Sequence, residues 1–217
     1  MKKYIIYIVS LVVMGGCKTT HIVDSPVIFD QERIDLTLQY LDEHYGIEQA
    51  EPTIDPRMIV IHYTVIPTLE KTLAAFHESK LPNWRPEIAS AGALNVSSQF
   101  VVDQDGKIYR LMPETYMARH VIGLNHCAIG IENVGGTDEV PLTEAQLKSN
   151  IWLAQYLKEK YDIQYLIGHS EYTQFENHEL WLEKDAGYRT EKSDPGEQFL
   201  SDIRAATIDL GFLPVPE

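Results

Sequence analysis

Hydrophobic and polar positions divide this chain into segments of distinct period. Residues 4–14 form an apolar run behind Lys2 and Lys3, too short to span a bilayer, which is the layout of a secretory leader. Residues 18–26 are polar and aperiodic, which predicts an extended tether. Ile34, Leu38, Leu41 and Tyr45 then recur at helical spacing, with Asp30 as N-cap and Gly46 as terminator. Met58-Ile59-Val60-Ile61 is a continuous, largely β-branched run that predicts a strand buried on both faces, and His62 stands at its end. Leu69, Leu73 and Phe76 predict a helix over 68–80 with His77 on its surface. Residues 81–93, punctuated by Pro82, Pro86 and Gly92, predict a loop.

The second half repeats the alternation. Residues 98–102 and 107–111 flank Asp105-Gly106, whose positive φ suits a hairpin. In Ala128-Ile129-Gly130-Ile131-Glu132 the two isoleucines face one way, and Gly130 and Glu132 the other. Residues 143–161 predict a helix opened by a Thr143/Gln146 capping box, with Leu147, Ile151, Ala154 and Leu157 on one stripe. Tyr165-Leu166-Ile167 is a second short buried strand, and His169 follows it after Gly168. A last helix is predicted from about Pro195 to Leu210. Strands alternating with helices, plus one hairpin, predict an α/β fold with a mixed central sheet flanked by helices. At 217 residues and 44% hydrophobic content, the chain is long enough for one sizeable core.

Composition narrows the classes of function. The formal net charge is −14, and Lys2 and Lys3 both lie in the leader, so the remainder is more acidic still. A basic nucleic-acid-binding face is excluded on that ground. Met14-Gly15-Gly16-Cys17 resembles the bacterial lipoprotein signal, in which a cysteine after small residues is lipidated and becomes the N-terminus. The alternative is an ordinary secretory signal with an incidental cysteine. The expected layout is therefore a lipoprotein signal peptide over 1–16, the lipidated Cys17 and its tether over 17–29, and one folded domain over 30–217. Acyl chains at Cys17 would anchor the protein, at about 0.8 kcal/mol per buried methylene. Lys18 after the cysteine points to the outer membrane, facing the periplasm. Cys127 is then the one remaining thiol, which precludes an intrachain disulfide.

Two of the eight histidines, His62 and His169, follow short buried strands. Ligands of an α/β sheet gather at the carboxyl ends of its strands, so both could point into one crevice. Structural histidines at strand ends are the competing explanation. His21, His44, His77 and His178 lack the placement. Ser193-Asp194-Pro195-Gly196-Glu197 reads as a helix start with Asp194 as N-cap, a role compatible with metal binding through the second carboxylate oxygen. Glu132 and Lys192, taken singly, read as surface residues.

The joint pattern goes further. Ile61-His62-Tyr63-Thr64, Ile129-Gly130-Ile131-Glu132, Gly168-His169-Ser170-Glu171 and Lys192-Ser193-Asp194-Pro195-Gly196 resemble, in order and wording, the N-acetylmuramoyl-L-alanine amidase type 2 family. That family is related to phage lysozyme-like amidases and to peptidoglycan recognition proteins. The resemblance covers about residues 55–212. It implies one zinc ion and hydrolysis of the amide between the muramic acid lactyl group and L-alanine, in peptidoglycan or muropeptides. It implies His62, His169 and Asp194 as metal ligands, Glu132 as acid/base and Lys192 as oxyanion partner. It also implies substrate contacts at His120 and at Gln99, where relatives often carry histidine. Gly130 would leave room for the substrate backbone. Residues 172–189 form an insertion relative to compact relatives, either shaping the groove or packing on the surface. No protein partner is implied.

Other classes fit less well. A binding module that has lost catalysis would show a substituted ligand, and none is substituted. Gly168-His169-Ser170-Glu171-Tyr172 lacks the Gly-x-Ser-x-Gly turn of a serine hydrolase. His77-Glu78-Ser79-Lys80-Leu81 lacks the second histidine of a His-Glu-x-x-His protease.

Overall fold

The structure is a computed structural model and describes residues 22–83 and 86–216; the predicted leader and Cys17 lie outside them. Six strands form one mixed sheet: β1 Ile22–Asp24, β2 Met58–Tyr63, β3 Phe100–Val102, β4 Ile108–Arg110, β5 Ala128–Asn133 and β6 Tyr165–Gly168. Their order is β1-β4-β3-β5-β2-β6. The predicted hairpin, β3 with β4, is the antiparallel pair of the sheet, and Gly106 takes φ 84° in its turn. The remaining neighbours pair parallel. The helices are α1 Gln31–Tyr40, continued by a π turn over Leu41–Tyr45, α2 Leu69–His77, the short α3 Pro86–Ala89, α4 Glu144–Lys160 and α5 Glu197–Ala206.

The continuous apolar run of β2 is explained by its central position, with Met58 to Ile61 fully buried between β5 and β6. Its two faces have different neighbours. Ile61 pairs with Gly168, against which Pro195 and Leu200 of the α5 segment pack. Asn150 of α4 donates to Asn133, the neighbour of Tyr63, so α4 and α5 cover that face. His62 and Glu132 are register partners and point to the other face, beside residues 119–122, Asn125 and Tyr40. β5, β2 and β6 run parallel, so His62, Glu132 and His169 arrive at one rim.

Four expectations need correction. The tether is shorter than predicted, because Ile22–Asp24 pairs with Ile108–Arg110 and Val27 is buried. The inward face of α1 carries Arg33 and Thr37 with Tyr40, while Ile34 and Leu38 are only half-buried. Arg33 is there because its guanidinium donates to the carbonyls of Phe76, His77 and Glu78, the unsatisfied end of α2. Likewise α4 turns Gln146, Ser149 and Asn150 inward, and Leu147 and Ile151 only partly, because Gln146 donates to the carbonyls of Val102 and Val134 where β3 and β5 end. Finally, α5 begins at Glu197 behind Gly196, which offers no side-chain cap, so Asp194 is not its N-cap. The Thr143/Gln146 capping box of α4 forms as predicted.

Candidate metal centre and cleft

Each ligand candidate is delivered by a different device. His62 is set by its place in β2, and its carbonyl accepts from Asn133 Nδ2 at 2.9 Å. His169 opens a 3₁₀ turn directly after β6. Glu171 holds that turn, accepting from the Gly168 N–H at 2.9 Å while paired with Arg204 of α5 at 2.7 Å. Asp194 lies on the loop before α5, and its carbonyl accepts from the Ser170 N–H at 2.9 Å. Gly168 makes that docking possible, since a Cβ there would stand 2.8 Å from Pro195 Cδ.

The three side chains converge. His62 Nδ1 lies 3.0 Å from His169 Nδ1, and each lies 3.1 Å from Asp194 Oδ2. All three residues are buried, and they form the one potential metal-ligating cluster among the described residues. Burial, reinforced by His62, pushes His169 down to about 4, which keeps its imidazole neutral at pH 7. Burial opposes ionisation of Asp194, but hydrogen bonds from His169 and His62 outweigh it and hold the carboxyl well below the usual carboxylate range. Two imidazoles and an ionised carboxylate are the donor set of a catalytic zinc. A tetrahedral site with bonds of about 2.0–2.1 Å has edges of about 3.3–3.4 Å, so the observed triangle needs only a small expansion. The residues present therefore fit the ion that the resemblance implies.

A cleft of about 300 Å³ opens over this triangle. Glu132 lines it, opposite His62 in the β2–β5 register, and so does the half-buried Lys192, whose charge helps to lower His169. Tyr40, Arg119 and Tyr188 line its inner end. His120 lines the cleft too, but its ring is packed edge-on against His62 with centroids 5.1 Å apart. Burial, with His62 and His169 adding to it, holds His120 well below the usual histidine range.

Gln99 does not line the cleft. It is fully buried, accepting from the Gly130 N–H at 2.7 Å and donating to the Tyr116 carbonyl at 2.8 Å. The substrate contact expected of it is therefore replaced by support of β5. Gly130 makes room for the His120 ring, which lies 2.9 Å from where a Cβ would be, rather than for a substrate. The 172–189 insertion packs inward and shapes the groove together. Phe175 is fully buried and Glu183 pairs with His44 at 2.9 Å, while Tyr188 reaches the cleft. Sequence reasoning missed Arg119, which donates to the carbonyls of Ile88, Gly92 and Leu94 and to the Tyr188 hydroxyl. Its guanidinium ties the loop before β3 to the insertion, and no periodic signal marks it.

The family model described as N-acetylmuramoyl-L-alanine amidase matches residues 52–197, and the chain belongs to that family. Among solved structures, it is similar to the N-acetylmuramoyl-L-alanine amidase LysC from Clostridium intestinale URNW, at 24% identity and TM-score 0.54, over 90% of this chain and 100% of that one. It is similar to a selenomethionine derivative of AmpD at 22% identity and TM-score 0.52, covering 87% and 95% of the two chains. It is also similar to bumblebee PGRP-SA at 19% identity and TM-score 0.53, covering 91% and 100%. At these identities the likeness establishes the shared fold, a mixed sheet with flanking helices. No curated protein matches the chain.

Proposed function

We propose that this protein is a zinc-dependent N-acetylmuramoyl-L-alanine amidase that hydrolyses the lactyl–L-alanine amide of peptidoglycan or muropeptides. The observation that carries this reading is the buried triangle of His62 Nδ1, His169 Nδ1 and Asp194 Oδ2 at 3.0–3.1 Å, opening on a cleft that also holds Glu132 and Lys192. His62, His169 and Asp194 would hold a zinc ion, which would supply Lewis acidity to polarise the scissile carbonyl and to make water a competent nucleophile near neutral pH. Glu132, on the rim beside His62, takes a proton from the attacking water and delivers it to the departing L-alanine nitrogen. The C–N bond breaks, a carboxylic acid and a free amine result, and the proton count closes. Such acid–base help is worth about 10²- to 10⁴-fold. Lys192 compensates the negative charge that develops on the carbonyl oxygen. Intact ligands argue against the non-catalytic binding-module reading, since every metal and acid/base position is filled.

We further propose that the protein is a lipoprotein of the cell envelope, anchored through Cys17 in the outer membrane and facing the periplasm. The Met14-Gly15-Gly16-Cys17 motif supports this. β1 adds a geometric consequence. Ile22 pairs with Ile108, Ile108 with Val102, Val102 with Asn133, and Asn133 with Tyr63, so the chain enters the sheet at the rim that bears the cleft. Five residues reach at most about 18 Å, which would hold that rim near the bilayer. Neither a nucleic acid nor an obligatory protein partner is part of this reading.

The decisive measurement is metal content together with release of free stem peptide from purified peptidoglycan. One equivalent of zinc and activity abolished by chelation or by His62→Ala are expected. Activity indifferent to both would sink the assignment. Cys17→Ser should move the protein from the membrane to the soluble fraction; continued membrane association would refute the anchor.

A further inference from the structure

His62 is engaged through both ring nitrogens. Nδ1 faces Asp194 and His169, and Nε2 lies 3.0 Å from Nδ1 of His120. The other nitrogen of His120, Nε2, lies 3.3 Å from the carbonyl oxygen of Ala128. A carbonyl only accepts, so the proton of the His120 ring sits on Nε2 and its Nδ1 carries a lone pair. That lone pair can only accept, so the partner Nε2 of His62 must donate. With a metal in the triangle the single proton of His62 is thereby held on Nε2 and its Nδ1 lone pair faces the ligands; without one, Asp194 Oδ2 at 3.1 Å competes for a proton on Nδ1.

We propose that His120 is a positioning residue that fixes the tautomer of His62 for metal binding, and that it is not a substrate contact. The inference rests on the zinc-amidase reading above and deepens it. A ligand histidine normally passes its second N–H to a carboxylate, carbonyl or water. Here a second imidazole stands between the ligand and the carbonyl, forming a two-ring relay from the triangle to β5.

The surroundings of His120 are built for that position. The ring occupies the space over Gly130 that any other residue would fill, with three of its atoms 2.9 Å from the site of a Cβ. Gln99 holds the Gly130 N–H from below at 2.7 Å, which fixes the strand on which the ring rests. Asn125 Oδ1 accepts from the backbone N–H groups of His120 and Val121 at 2.8 and 2.7 Å, so the main chain is pinned as well. Ala128, the acceptor, is on the same strand two residues before Gly130. Backbone, ring and acceptor are thus held by one short stretch of β5 and its supports, which leaves neither ring nitrogen of His120 directed at a ligand in the cleft.

The test compares wild-type chain, His120→Phe and His120→Gln by competition for zinc against a chromogenic chelator. Phe keeps a ring over Gly130 but removes both hydrogen bonds, and should weaken zinc binding roughly 10- to 100-fold. Gln, which can accept from His62 and donate to Ala128, should recover most of that loss, with KM for a muropeptide unchanged once zinc is saturating. A folded His120→Phe chain that binds zinc within about threefold of wild type overturns the proposal, as does a His120→Gln variant whose zinc affinity is normal but whose KM rises. Should His120→Phe fail to fold, the tautomer is read directly from ¹⁵N-histidine spectra of the metal-free wild-type chain. His120 protonated on Nε2, with its Nδ1 free to accept from His62, is expected, and His120 protonated on Nδ1 overturns the relay. A wild-type chain that takes up no zinc would instead refute the metal reading itself, and the metal-free spectra distinguish the two failures.

Discussion

Gly168→Ala isolates the device that brings Asp194 to the histidines. The backbone at Gly168, φ −84° and ψ 154°, is open to any residue, so conformational strain makes no contribution. Left to itself, the change would stabilise the chain by about 0.4–1 kcal/mol through the unfolded state. The added Cβ, however, would stand 2.8 Å from Pro195 Cδ and 3.0 Å from Leu200 Cδ2. Restoring ordinary carbon–carbon contact takes a shift of roughly 0.7 Å. The segment that must move carries Asp194, whose Oδ2 is now 3.1 Å from both imidazoles. Zinc ligand distances tolerate about 0.2 Å, so a shift of that size weakens the site. Overpacking of this kind costs about 1–3 kcal/mol, which as lost metal affinity is roughly 5- to 150-fold. The assay is zinc competition, with urea unfolding in chelator to separate loss of fold from loss of site. Gly187→Ala, on an exposed loop where the nearest neighbour is 3.3 Å away, is the control and should be near neutral. A Gly168→Ala protein as stable as wild type and binding zinc within about twofold would refute the steric account.

Glu132→Gln should keep its zinc and lose about 10²- to 10⁴-fold in kcat, measured by stem-peptide release; loss of zinc instead would mark Glu132 as a structural residue. His126 concerns acid stability. Burial pushes it down to about 4, below the ordinary 6.5, so the unfolded chain takes up the proton first. Its contribution is full above about pH 7 and is lost as pH falls from 6.5 toward 4, with about 2 kcal/mol gone at pH 5. His126→Phe should reduce the difference between urea midpoints at pH 7.5 and pH 5, and an unchanged difference would exclude His126 as a source. Arg33→Met leaves the end carbonyls of α2 without their donor and should destabilise by on the order of 3 kcal/mol in chemical unfolding; a change below about 0.5 kcal/mol would show that water replaces the guanidinium.

The parts of the fold legible in the sequence are those whose neighbours are apolar. β2 and β6 announce themselves because strands covered on both faces must be continuously apolar, β5 by the alternation of its isoleucines with Gly130 and Glu132, and the hairpin because Gly106 needs a positive φ. Polar burial leaves no such trace. Gln146 and Asn150 look solvent-facing on α4, yet they are buried where strand ends expose carbonyls that a helix can satisfy. Arg33 deceives in the same way. β1 was missed for a different reason: three residues are too few to show a period, and its strand character comes from β4, which lies far along the chain.

At the site, spacing alone could place His62 and His169, since parallel strands of one sheet end at one rim. Asp194 could not be placed that way. Ser-Asp-Pro-Gly-Glu carries every local signal of a capped helix start, and local energetics would be met by Asp194 as N-cap. The structure begins the helix at Glu197 and docks Asp194 on the far side of Gly168, so the carboxylate is turned from a helix terminus toward two imidazoles. What decides between the two is a missing side chain at Gly168, 26 residues upstream, which no local reading of residues 193–197 can weigh. Gly130 and His120 repeat the logic, one absent Cβ admitting one imidazole. The glycines of the Ile-Gly-Ile-Glu and Gly-His-Ser-Glu blocks therefore carry as much of the site as the residues beside them. They fix where ligands and their supports can stand, and they do so by a steric condition visible only once the chain has folded.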